Sequence, residues 1–114
     1  MHEMSLTEGV IRIIEEQAAA QGFVRVRRLW MEIGRLSTVD PEAMRFCFAA
    51  VRGNSAAAAE AELEIVTVPG QAWCMDCAQE SEIEQRYDPC PRCGGYHLQV
   101  TGGEDMRITE MEVE

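Results

Sequence analysis

Four cysteines fall into two pairs, Cys74-Met75-Asp76-Cys77 and Cys90-Pro91-Arg92-Cys93, with twelve residues between them. A two-residue gap lets one tight turn aim both sulfurs at a single ion. Four soft thiolates then satisfy tetrahedral Zn²⁺ with no position left open. Pro91 fixes the second turn and Gly94 gives it backbone freedom. A catalytic zinc keeps a place for water, so the closed set predicts a structural ion. Four paired thiolates also suit a single iron, and disulfides are the reading that an oxidising compartment would favour. The fifth cysteine, Cys47, shares a helical face with Met44, Phe48 and Val51 and reads as a small buried hydrophobe.

A second donor set stands at Met1-His2-Glu3. The free amine of Met1, the amide nitrogen of His2 and the His2 imidazole can close two fused chelate rings on one ion. The Glu3 amide or carboxylate, or a donor from elsewhere in the chain, supplies a fourth. Square-planar nitrogen and oxygen coordination suits Ni(II) or Cu(II). The amine and any amide used must lose protons, so binding weakens as pH falls. The positive end of a following helix repels a cation, which predicts modest, reversible affinity. The plainer alternative is an exposed histidine beside a glutamate that suits a helix N-terminus.

The elements that must carry these groups are legible in outline. Ser5-Leu6-Thr7-Glu8 has the form of a capping box. Leu6, Val10, Ile13, Ile14 and Ala18 then recur at helical spacing, which predicts a helix from Ser5 to about residue 21 that stops at Gly22. Phe23 to Ile33 reads as a long strand whose inward parity slips, from Val24 and Val26 to Leu29, Met31 and Ile33. Asp40-Pro41-Glu42 opens a second helix, with Asp40 as N-cap and Pro41 at its first position, running to about Gly53. Residues 54–61 are a short helix or a plain connection. Leu63 to Val68 is a second strand, stopped by Pro69-Gly70. Met106 to Val113 is a last strand with a bulge between Ile108 and Met111. Because that strand can rejoin the first sheet, the cysteine module reads as an insertion. The expectation is α+β: two helices packed on a three-stranded sheet, with residues 1–69 and 104–114 in one lobe and a zinc-ribbon-like lobe at 70–103.

The chain has 114 residues, ten basic and twenty acidic, for a net charge of −10, and every basic residue is arginine. That balance argues against a nucleic-acid-backbone binder, which needs a basic face. Residues 70–114 alone hold ten acidic residues against three basic ones. No apolar run is long enough to span a membrane and no signal peptide is visible, so the expected location is the cytoplasm. No nucleophile–base set, phosphate-cradling glycine loop or open metal site points to an enzyme.

Taken together, "MHEMSL", "IGRLSTVDPEAMRFCF", "LEI", the paired "CMDC" and "CPRCGG", and "ITEMEVE" resemble the hydrogenase maturation nickel metallochaperones of the HypA/HybF family. The resemblance covers essentially the whole chain. It implies a nickel-binding lobe of two helices on a three-stranded sheet and an inserted zinc lobe. It implies that His2 is the principal nickel ligand, with Met1 and Glu3 beside it, and that Cys74, Cys77, Cys90 and Cys93 hold structural Zn(II). Asp40 corresponds to an acidic residue placed in or near the nickel site, although as a residue it reads first as an N-cap. His97 is a loop histidine or a supplementary nickel donor. The implied cargo is Ni(II), passed to the [NiFe]-hydrogenase large subunit, and in some organisms to urease. The implied partner is a HypB-type nickel-handling GTPase, and a homodimer is among the allowed states. The rival is a zinc-ribbon interaction adaptor with no nickel role.

Overall fold

The computed structural model describes residues 3–114. The first helix, α1, spans Glu3–Gln21, and Gly22 follows it at φ +80°. The helix therefore starts two residues before the expected Ser5 cap. Ser5 lies inside the first turn, Glu3 supplies the acidic residue that suits the helix N-terminus, and the hydroxyl of Thr7 donates to the Met4 carbonyl (2.8 Å). Strand β1 spans Val26–Gly34 and buries Val26, Leu29, Met31 and Ile33. The parity slip expected between Val26 and Leu29 is present in that burial pattern. Val24 is not part of the strand and is exposed, and Phe23 also lies outside it.

Helix α2 spans Pro41–Val51, and a short 3-10 turn, Arg52–Asn54, follows it. The α2 start is as expected: Asp40 has extended backbone, its Oδ1 accepts from the Glu42 N–H (3.0 Å), and Pro41 stands at the first turn. Met44 and Phe48 are fully buried, whereas Cys47 and Val51 are only half-buried. Residues 55–61 form turns rather than a helix, with Ala58 and Ala61 buried. Strand β2 is Glu62–Val68 and β3 is Gly70–Cys74. Strand β4 is Gln79–Ile83, β5 is Leu98–Gly102 and β6 is Met106–Val113. Two three-stranded sheets result, in the orders β2-β1-β6 and β4-β3-β5, so the last strand returns beside the first.

The chain divides into two compact units. One runs to Met31 and includes Val39–Ile65 and Ile108–Glu114; α1 packs against α2 within it, around Val10, Ile14, Met44 and Phe48. The other is Glu32–Thr38 with Val66–Arg107. Its core is Leu36, Ala72 and Ile83, covered by Leu98 and Val100. Antiparallel pairing runs Gly70↔Ile83 to Cys74↔Gln79 on one side of β3, and Cys74↔Leu98 on the other. Both pairings end at Cys74, so the sheet delivers that sulfur to the cysteine cluster.

Close backbone packing explains Gly34. A Cβ there would fall on the carbonyl of Gly103, and the Leu36 N–H donates to that same carbonyl oxygen (2.8 Å). Leu36 is thereby held in the core of the cysteine-bearing unit.

Candidate metal centre

The two C-x-x-C segments fold as matched turns. In the first, the Ala78 N–H donates to the Cys74 carbonyl (2.8 Å); in the second, the Gly94 N–H donates to the Cys90 carbonyl (2.8 Å). Both turns close on a residue with positive φ, Ala78 at 54° and Gly94 at 75°. Backbone amides point at the sulfurs: Cys77 N–H at Cys74 Sγ, Arg92 N–H at Cys90 Sγ, and Gly95 N–H at Cys93 Sγ, each at 3.4 Å. Such donors stabilise negative sulfur.

The turns face one another. Cys74 Sγ lies 3.7 Å from Cys93 Sγ, and Cys77 Sγ lies 3.9 Å from Cys90 Sγ. All four sulfurs fall within 4.8 Å of one another. A tetrahedron with Zn–S bonds of about 2.3 Å has edges of about 3.8 Å, so the donor set fits zinc in both chemistry and size. None of the four is disulfide-bonded. Cys74 and Cys90 are buried, Cys77 is half-buried and Cys93 is exposed.

The cluster splits its own protonation. Cys77 is pushed up to about 12, first by its hydrogen bond with the Cys93 side chain and then by burial. Cys90 is brought down to about 7, first by the Cys93 backbone N–H and then by that of Arg92. Without metal, one sulfur thus holds a proton firmly while another readily gives its proton up. Four thiolates around a dication would leave a net negative centre in a unit already rich in carboxylates.

Of the other candidate residues, Met1 and His2 lie outside the described residues. Glu3 and Asp40 are brought together: Glu3 Oε2 accepts from the Asp40 backbone N–H at 3.0 Å. His97 stands in the cysteine-bearing unit, exposed, with Nδ1 at 3.1 Å from Asp76 Oδ2 and 3.3 Å from Asp76 Oδ1. Its carbonyl accepts from the Met75 N–H (2.9 Å), which ties it to the first cysteine turn. Asp76 was not singled out from sequence. It lies inside the first C-x-x-C, but its partner is 21 residues away and no local spacing announces the pair.

Comparison with known proteins agrees with this geometry. The chain is 60% identical over 114 residues to hydrogenase maturation factor HypA of Rhodopseudomonas palustris (strain BisA53), covering the whole of both chains. It is 54% identical over the same length to the HypA of Azotobacter vinelandii, again covering all of both. The solution structure of the nickel metallochaperone HypA from Helicobacter pylori matches with a TM-score of 0.70 at 27% identity, over 99% of this chain and 97% of that one. A second solution structure of a HypA protein gives a TM-score of 0.74 at 27% identity, over 100% and 97% of the two chains. No described helix is long and apolar enough to cross a membrane. A family model matches residues 1–113, and the chain belongs to HypA, the metallochaperones of hydrogenase and urease nickel incorporation, which are maturation factors rather than enzymes.

Proposed function

We propose that this protein captures Ni(II) through Met1, His2 and Glu3 and releases it for the maturation of [NiFe]-hydrogenase, with urease as a second destination. The observation that carries this reading is the Glu3–Asp40 hydrogen bond. It sets the start of α1 beside the N-terminal end of α2, so a carboxylate from each helix start lies close to the other, and Glu3 follows the terminal donors directly in the chain. The amine, the His2 amide and the imidazole supply nitrogen, and Glu3 supplies oxygen, a set suited to square-planar Ni(II). The unit that carries Glu3 and Asp40 is the nickel lobe in this reading. The unit that carries Cys74, Cys77, Cys90 and Cys93 is the zinc lobe, and zinc there holds the two turns together. His97 acts at most as an auxiliary donor, and with Asp76 at its Nδ1 the nitrogen it would offer is Nε2.

In this role the protein works in the cytoplasm with a HypB-type GTPase, which supplies the hydrolysis that this chain lacks the residues for. The hydrogenase large subunit receives the metal, and a homodimer is among the states this role allows. Nickel titration of the zinc-loaded protein tests the core of the reading. His2→Ala should abolish the high-affinity step while zinc stays bound. A one-residue extension before Met1, which turns the amine into an amide, should do the same. Unchanged nickel binding in both variants would remove the terminal chelate from the account and favour the adaptor reading.

A further inference from the structure

The cysteine-bearing unit contains a groove that the nickel reading does not use. Its volume is about 590 Å³. Pro69, Pro89 and Pro91 face it, all three exposed, with the buried Ile83 and the exposed Thr67 completing a small apolar floor. Its charged lining is unequal: Glu82, Glu84 and Asp88 against Arg35 alone. Arg35 is already taken up, with Nη2 at 3.0 Å from Glu84 Oε1. Asp88 Oδ2 accepts from the Glu84 and Gln85 N–H groups at 3.0 Å each, which fixes the loop that walls the groove.

Glu82 is different. It is exposed, and it has no hydrogen-bond or ion-pair partner among the described residues. It also lines a second, more open groove of about 520 Å³, which shares Pro91 with the first and adds Glu80 and Arg92, whose Nε donates to Ser81 Oγ, so the two grooves together hold four carboxylates against two arginines. The two grooves therefore meet at Glu82 and Pro91 and continue beside β4 from Glu84 to Glu80. Strand β4 is an edge strand of its sheet. Five residues of strand span about 16 Å, enough for an extended segment of similar length to lie alongside.

We propose that this trough binds an extended, arginine- or lysine-bearing peptide segment of a partner protein. A cationic side chain pairs with Glu82, and a short apolar side chain rests on the proline floor. The excess of carboxylates selects a basic segment over a neutral or acidic one, and it steers approach as well as pairing. The rigid prolines and the fixed loop limit the ordering cost on the receptor side. The surface lies within one compact unit, and it stands whether or not the terminal chelate is correct.

The test uses the full zinc-loaded chain and a fluorescein-labelled peptide, Gly-Arg-Val-Arg-Val-Gly, with Gly-Glu-Val-Glu-Val-Gly as the charge-inverted control. Fluorescence anisotropy and ¹⁵N amide shifts are recorded together. The expected result is saturable binding of the basic peptide only, with shifts concentrated at Thr67, Glu82 and Glu84. Glu82→Gln should weaken it by roughly threefold, the scale of one exposed ion pair. Thr67→Tyr should block it by filling the floor, and Glu112→Gln, outside the groove, should leave it unchanged. Equal loss with Glu112→Gln, or shifts spread over the acidic surface, would reduce the effect to non-specific charge attraction and overturn the proposal. Groove shifts that track protein concentration without peptide would assign the trough to a second copy of this chain and overturn it equally.

Discussion

Glu3 and Asp40, 37 positions apart, are joined by a hydrogen bond from the Asp40 backbone N–H to Glu3 Oε2, 3.0 Å long. Asp40 is itself the N-cap of α2, its Oδ1 accepting from the Glu42 N–H. One short chain of bonds thus runs from the first turn of α1 through the cap of α2. Both carboxylates also suit the positive ends of their helices.

This arrangement separates two roles for Asp40. Asparagine caps a helix about as well as aspartate, whereas alanine does not. Asp40→Ala should lower stability by about 1 kcal/mol, and Asp40→Asn by only a few tenths. If the carboxylate also holds nickel, Asp40→Asn should weaken nickel binding while leaving the urea midpoint nearly unchanged. Urea titration beside nickel titration of both variants reads the two roles apart. Equal nickel affinity for the native chain and Asp40→Asn would leave Asp40 a cap alone.

Metal loading of the cysteine cluster should release protons in a pH-dependent number. Zinc takes thiolates, so every thiol proton still present must leave. Cys77, raised to about 12, is a thiol at both pH 6 and pH 8 and gives up its proton at either. Cys90, near 7, is mainly a thiol at pH 6 and mainly a thiolate at pH 8. Zinc binding should therefore release more protons at pH 6, by up to about one, and zinc affinity should fall as pH falls through 7. Calorimetry in buffers of different ionisation enthalpy measures the count. A release that does not change between the two pH values would contradict the assignment of Cys90.

Backbone packing at Gly34 predicts a large effect from a single methyl. A Cβ at this position meets backbone, the Gly103 carbonyl, which cannot swing aside as a side chain can. The same carbonyl accepts from Leu36, whose side chain is part of the core of its unit. Gly34→Ala should destabilise by about 3 kcal/mol or more, as overpacking against fixed backbone does. Thermal unfolding of zinc-loaded protein would show it. A Tm within a degree or two of the native value would mean that the backbone there yields easily.

Sequence makes the helices, the strands of the β2-β1-β6 sheet and the cysteine cluster legible for physical reasons. Asp40-Pro41 carries its cap signal locally, and two C-x-x-C pairs need only local turns to make a tetrahedral donor set. Ser5 and Glu8 imitate a capping box and so place the start of α1 two residues late, while Glu3 and Met4 extend the helix. Val24 looked like strand because it is β-branched, yet it stands outside the sheet, exposed. The three strands within the cysteine module are not announced by the sequence, because each is only five residues long and β3 and β4 carry mostly small or polar side chains. The Glu3–Asp40 and Asp76–His97 pairs were invisible because each joins residues far apart in the chain.

The two cysteine turns offer a matched pair of tests, because they make the same closing hydrogen bond with different residues. Gly94 takes its positive φ at no steric cost, whereas Ala78 holds φ 54° against its own Cβ. A left-handed alanine costs about 1–2 kcal/mol, partly offset by the extra chain freedom that glycine loses on folding. Ala78→Gly should therefore stabilise the zinc-loaded protein by up to about 1 kcal/mol, and Gly94→Ala should destabilise it by a similar amount. Because both closing amides sit immediately after a cysteine, the same changes should appear in zinc retention. Competition with a colorimetric chelator should find slower zinc loss from Ala78→Gly and faster loss from Gly94→Ala. Opposite signs in the two turns would support the matched geometry, whereas faster loss from both variants would show that Ala78 is held by contacts other than its backbone.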